Sequence, residues 1–287
     1  MFRSVRRRVA VVAALLLVAA AGAACESSDP PPDPGFVYAA LGDSFTAAPG
    51  IPTISNEACQ RSDHNYPHLV AKQLDDVALT DVSCGGARSD AVLQSQKQQS
   101  GHVQPPQIEA ISTETDLITV GFGANDEDYV FTAAFQCLLL ADFDPDGAPC
   151  RKSNATKIPR LLERVHAGYL DTLEAIANRA PDARIIVVGY PRLLSDDTSG
   201  CRKRFPIAEG DVPFVRRSFD RLIATVERVA ADAGVEYVDV ATASEGHDIC
   251  SEDPWINGKR VDESGAAEYH PMPAEQDAVA ALILEML

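Results

Sequence analysis

Residues 36–50 read Phe-Val-Tyr-Ala-Ala-Leu-Gly-Asp-Ser-Phe-Thr-Ala-Ala-Pro-Gly. The stretch opens as an apolar run of strand length, 36–41, and breaks into small and polar residues at Gly42, Asp43 and Ser44. A buried parallel strand that ends in a tight turn delivers the next side chain to the carboxyl edge of a sheet. Open α/β folds put their ligands there. Gly42 permits the turn, and Ser44 stands at its tip as a candidate nucleophile. A polar turn after any strand would look the same, so the reading depends on partners: a base for the serine, and donors for an oxyanion.

Outward from that stretch, strand and helix patterns alternate. Residues 66–74 read as helix, 77–82 as a second strand, 116–121 as a third and 184–189 as a fourth. Between the third and fourth, 158–180 is a long amphipathic helix carrying Leu161, Leu162, Val165, Leu170, Leu173 and Ile176 on one side. Residues 212–233 form another helix, 235–240 a fifth strand and 274–287 a last helix. The alternation predicts an α/β fold, one parallel sheet with helices on both faces. Two stretches rich in Asp, Pro and Gly, 137–157 and 198–211, read as surface loops pinned by disulfides.

The first 24 residues read as a leader. Arg3, Arg6, Arg7 and Arg8 precede an unbroken apolar run that ends in alanines and is short for a membrane span. Cys25 follows, then a proline-rich tether over 25–35, so the folded domain is expected over 36–287. A small-residue run ending in cysteine resembles a bacterial lipoprotein signal, with Cys25 as the lipidated N-terminus. Gly22 stands where that pattern usually has a branched apolar residue. Plain secretion with cleavage after an alanine is the alternative. Either route places the protein outside the cell, touching membrane through a lipid anchor alone.

Setting the leader aside takes the net charge from −17 to −21. That excludes nucleic acid as a partner and a basic patch for anionic lipid. About 260 residues at 46% hydrophobic suffice for one domain with a substantial core, expected as a monomer. Six cysteines remain: Cys59, Cys84, Cys137, Cys150, Cys201 and Cys250. An even count behind a leader reads as three disulfides, with fifteen pairings open and the nearest-neighbour set one of them. There is no Cys-x-x-Cys of the kind zinc uses. No metal or organic cofactor is called for.

Two further strand ends carry chemistry. The second ends in Ser83-Cys84-Gly85-Gly86-Ala87 and the third in Gly121-Phe122-Gly123-Ala124-Asn125-Asp126. A glycine lets a ligand oxygen approach a backbone N–H, and an asparagine amide adds a donor. With the N–H of Ser44 these make a three-donor oxyanion hole. Either turn alone reads equally well as a strand-to-helix connection capped by Asn125 or Asp126. Among six histidines, His64, His68, His102, His166 and His247 have no distinguishing neighbours. His270 lies on a loop after the last strand, behind an acidic stretch and ahead of Pro271, on the edge that carries Ser44.

Gly42-Asp43-Ser44-Phe45, Gly86, Gly123-Ala124-Asn125-Asp126 and His270-Pro271, in this order, resemble the blocks of the SGNH (GDSL) hydrolase superfamily. The six cysteines and Asp253-Pro254-Trp255-Ile256-Asn257-Gly258 look like its secreted actinobacterial lipase/esterase branch. The resemblance implies a three-layer α/β/α sandwich with a five-stranded parallel sheet. It implies Ser44 as nucleophile, His270 as base, and Ser44, Gly86 and Asn125 as the oxyanion hole. It also implies sequential disulfides, Cys59–Cys84, Cys137–Cys150 and Cys201–Cys250, and a small-molecule or lipid ester as substrate. Two departures stand out. Ala124 replaces a commoner glycine, and Ala267 replaces the aspartate that many members carry three residues before the histidine. A Ser-His dyad is therefore expected. The backbone carbonyl of Ala267 would orient the imidazole, with the carboxylate of Glu268 as the alternative. Asp43 is expected to brace the nucleophile turn. A carbohydrate O-deacetylase of the same fold and a lipid-anchored binding protein without chemistry are the other readings.

Overall fold

The computed structural model describes residues 35–98, 100–196, 198, 201–260 and 263–287. The expected leader and Cys25 lie outside these residues. Five strands run parallel in one sheet: β1 (Phe36–Gly42), β2 (Val77–Asp81), β3 (Leu117–Gly121), β4 (Arg184–Val188) and β5 (Glu236–Val238). Their spatial order is β2-β1-β3-β4-β5. The chain moves from β1 to one side for β2, then crosses β1 to reach β3. The switch in direction opens a crevice at the carboxyl ends of β1 and β3, where this topology places a binding site. In register, Tyr38 lies opposite both Leu79 and Leu117, and Gly42 opposite Gly121.

Alternation along the strands sorts side chains between the two faces. Ala39, Leu41, Ile118, Val120 and Val187 point into the larger core. Two long amphipathic helices cover it, α3 (Ile158–Arg179) and α4 (Val212–Ala233), through residues such as Val165, Leu173, Leu222 and Val226. Tyr38, Ala40, Ile186, Val188 and Val238 point the other way, against α2 (Tyr66–Gln73) and α5 (Pro273–Met286). The result is the three-layer α/β/α sandwich. β3, covered on both faces and both edges, is buried throughout, as a central parallel strand must be.

The disulfides are Cys59–Cys84, Cys137–Cys150 and Cys201–Cys250. One expectation is corrected. The 137–157 stretch is largely helical, with short helices over Gln136–Leu140, Ala141–Phe143 and Pro149–Asn154. The last is capped from a distance: Asp211 accepts from the backbone N–H groups of Cys150 at 3.0 Å and Arg151 at 2.8 Å. A cap supplied from far along the chain leaves no mark in the local sequence.

Candidate active site

The last residue of β1, Gly42, has to be glycine, because a Cβ there would collide with the Thr46 side chain. Gln107 holds both backbone groups of Gly42, accepting its N–H at 2.9 Å and donating to its carbonyl at 3.1 Å. The chain then turns into α1 (Ser44–Ala47), a single turn whose cap is Asp43, accepting from the Phe45 N–H at 2.8 Å. Ser44 is the first residue of that turn. The second carboxylate oxygen of Asp43 accepts from the Tyr190 hydroxyl at 2.6 Å. Burial pushes the Asp43 carboxyl up to about 7, against the pull of hydrogen bonds from Tyr190 and Phe45. Both oxygens of Asp43 are thus committed to holding the turn.

Beyond β2, Gly86 adopts a φ of +72°, which a side chain would strain. Its N–H, like that of Ser44, has no acceptor among the described residues. Beyond β3, Gly123 (φ +125°) swings the chain so that Asn125 faces back toward β2. Asn125 caps no helix with its side chain. Its Nδ2 donates to the Ala87 carbonyl at 2.9 Å, which ties the two loops together and leaves one amide hydrogen for a ligand. The Ala124 N–H donates to the Tyr190 hydroxyl at 3.0 Å. Tyr190 therefore joins the Asn125 loop to the Ser44 turn through one oxygen.

His270 is held by a second piece of chain. The Asn257 N–H donates to the His270 carbonyl at 2.9 Å, and the Tyr269 N–H donates to the Asn257 carbonyl at 3.2 Å. The buried Asn257 side chain donates to Ala266 at 2.6 Å. Tyr269 takes a φ of +63°, uncommon for a bulky residue and placed directly before the histidine. Nδ1 of His270 meets the backbone carbonyl of Glu268 at 2.8 Å. This corrects the expectation for Ala267, whose carbonyl is taken by the His270 N–H at 3.3 Å and by Asn257 Nδ2 at 3.3 Å. It also corrects the alternative, since the acceptor on Glu268 is the main chain and not the carboxylate. A carbonyl acceptor fixes the tautomer with the proton on Nδ1 and leaves Nε2 as acceptor. Loss of hydration lowers the imidazole below the ordinary histidine range, with the Glu268 carbonyl pulling it partly back.

Ser44, Gly86, Asn125 and His270 line one cavity of about 270 Å³. Its remaining walls are mostly apolar, with Val130, Ala134, Phe135, Leu193, Phe205 and Phe219 among them, and Gln60 at one edge. Phe135 and Phe205 pack edge-on against Tyr269, with ring centroids 5.9 and 5.7 Å apart. None of the five other histidines reaches this cavity. His166 pairs with Asp232 at 2.8 Å, and His247 stacks on Trp255 at 4.6 Å. Sequence reasoning missed two residues of the assembly. Tyr190 directly follows the fourth predicted strand, and that placement on the same sheet edge was the available signal. Asn257 lies in a recognised motif, but its role as a backbone staple has no signature in residue type.

A donor-rich sheet edge around an apolar cavity, with a serine turn and a tautomer-fixed histidine, marks a hydrolase of the α/β/α sandwich class. The model of the GDSL-like lipase/acylhydrolase family matches residues 40–277. The chain is 33% identical over 222 residues to lipase 2 of Streptomyces coelicolor, covering 76% of this chain and 74% of that protein. It superposes on the crystal structure of an extracellular lipase from Streptomyces rimosus with a TM-score of 0.72. The sequences there are 25% identical, over 88% of this chain and 100% of the other. A phospholipase A1 from Streptomyces albidoflavus gives 0.67 at 25% identity, over 88% of this chain and 99% of the other. The chain belongs to the GDSL-like lipase/acylhydrolase family, and is a carboxylic ester hydrolase.

Proposed function

We propose that the protein cleaves acyl esters through a covalent acyl-enzyme on Ser44, with His270 as its base. One observation above all supports this: Ser44, Gly86, Asn125 and His270, from four separate strand ends and loops, line a single apolar cavity. Ser44 Oγ attacks the ester carbonyl as Nε2 of His270 takes its proton. The carbonyl oxygen, now negative, is met by the N–H groups of Ser44 and Gly86 and by the free Nδ2 hydrogen of Asn125. His270 returns the proton to the departing alkoxide, and the alcohol leaves. Water then attacks the acyl-serine with the roles reversed. The carbonyl of Glu268 holds the imidazole in place of a carboxylate. The acyl chain lies along Val130, Ala134, Phe135 and Leu193, away from water.

The leader and the tether carry the rest of the reading. The protein is exported and acts as a monomer, either released by cleavage after an alanine or anchored through a lipidated Cys25. The relative from Streptomyces rimosus is described as extracellular, and among the described residues no helix is long and apolar enough to cross a membrane. The test is hydrolysis of p-nitrophenyl esters from acetyl to palmitoyl by the wild type and Ser44→Ala. Turnover by the wild type with loss of at least a thousandfold in the variant is expected. Retained turnover in Ser44→Ala would remove the serine from the mechanism.

A further inference from the structure

The apolar cavity accounts for one side of an ester, the acyl side. A second cavity, about 1020 Å³, opens beside it. The two share three lining residues, Gln60, Gly85 and Gly86, and no others. The junction is therefore the proposed oxyanion donor itself. A carbonyl held at Gly86 has one substituent directed into each cavity. With the acyl chain in the apolar one, the alcohol portion enters the other.

The second cavity has a different chemistry. Cys59, bonded to Cys84, lines it, and its walls carry the neutral hydrogen-bonding side chains Gln60, Gln96 and Gln98. Two of these are anchored so that they frame the junction. Gln96 donates to the Gly85 carbonyl at 2.9 Å, and Gln98 donates to the Cys84 sulfur at 2.9 Å. A Cβ on Gly85 would lie 3.7 Å from Gln60 Oε1, and one on Gly86 would lie 4.0 Å from Gln96 Nε2. The amides thus stand beside Gly86, the proposed oxyanion donor, and its neighbour Gly85. Glu57 and Lys97 in the wall oppose each other in sign, and Ser100 and His102 add two further polar side chains. Such a surface offers donors and acceptors without net charge. A phosphate or carboxylate head would find one lysine set against one glutamate, with no arginine in the wall.

We infer that the polar cavity is the alcohol-side subsite, and that the substrate is an amphiphilic ester joining a short-to-medium acyl chain to an uncharged, polyhydroxylated alcohol of saccharide size. The relative volumes fit that shape, a small apolar arm and a larger polar one. Donors and acceptors interleaved along the wall suit a group whose hydroxyls act as both. The inference rests on the serine-esterase reading above and adds the leaving group to it.

The experiment compares kcat/KM for sucrose monooctanoate, ethyl octanoate and lysophosphatidylcholine bearing an octanoyl chain. The wild type is assayed beside Gln60→Leu, which removes hydrogen-bonding capacity at the junction, and Lys97→Trp, which fills the polar cavity. The wild type is expected to favour the sucrose ester over the ethyl ester by at least tenfold. Each variant is expected to reduce that ratio at least fivefold, with circular dichroism confirming the fold. Equal rates on the sucrose and ethyl esters, or ratios that both variants leave within twofold of wild type, overturn the subsite. Preference for the lysophospholipid overturns the uncharged class. Failure to hydrolyse any of the three esters would instead overturn the esterase reading on which the subsite depends.

Discussion

Replacing Tyr190 with phenylalanine tests whether the site works as a connected unit. The hydroxyl makes two buried bonds, donating to Asp43 at 2.6 Å and accepting from the Ala124 N–H at 3.0 Å. Phenylalanine keeps the ring, including its edge contact with Phe45 at 5.2 Å, and deletes both bonds. Each orphaned buried group costs about 1–3 kcal/mol, so a stability loss of about 3 kcal/mol is expected. A lower midpoint in urea, with an unchanged slope, would report it. The catalytic effect is separable. The hydroxyl sets Asn125 relative to Ser44, and a misaligned oxyanion donor forfeits part of the ~3 kcal/mol it supplies to the transition state. A fall of about tenfold in kcat, or about 1.4 kcal/mol, is expected on p-nitrophenyl octanoate. KM should stay within twofold, because the acyl walls are untouched. A variant that loses the stability but keeps kcat within twofold of wild type would refute the coupling and leave Tyr190 a core residue.

Three other outcomes follow from the geometry. Asn125→Ala removes the third proposed oxyanion donor and should lower kcat by about 10²–10³-fold, checked by steady-state kinetics with a melting curve to confirm folding; an effect under fivefold would place the oxyanion elsewhere. The base must be neutral to accept a proton, and burial holds His270 below the ordinary histidine range. The acid limb of kcat/KM against pH should therefore lie below about 6.5, and a limb above 7 would contradict the desolvated setting. Glu275 is buried at the start of α5, and burial pushes its carboxyl up to about 8, with a Gln276 hydrogen bond opposing. A carboxyl raised in the folded state stays protonated there while the unfolded chain ionises. The wild type accordingly loses stability as pH rises from about 4.5 to about 8. Glu275→Gln abolishes that loss, so its melting temperature should exceed the wild type's at pH 9 and match it near pH 4.5; equal gains at both would argue against titration.

The sheet was legible because its strands are short apolar runs ending in glycine or small polar residues, and a parallel strand buried on both faces is written continuously in residue type. Ser44, Gly86 and Asn125 were legible for the same reason, since each follows such a run and topology alone carries it to one edge. His270 could be placed on that edge by its position after the fifth strand. Its orienting partner could not. Which of two adjacent carbonyls faces Nδ1 depends on the positive φ of Tyr269 and on Asn257 occupying the Ala267 carbonyl. Neither is a property of residue type. Among the short helices after Phe135, Pro149–Asn154 was hidden because Asp211, sixty-one residues from Cys150, supplies its cap. Tyr190 was hidden because a tyrosine after a strand is unremarkable until its hydroxyl is seen between Asp43 and Ala124.

The central claim is that Ser44 is made nucleophilic by His270. The direct measurement is labelling with a fluorophosphonate, followed by peptide mapping by mass spectrometry. A single adduct on the peptide carrying Ser44, formed in the wild type and slowed at least a hundredfold in His270→Ala, is the result predicted here. An adduct on another serine, or labelling of Ser44 at an undiminished rate without His270, would contradict it.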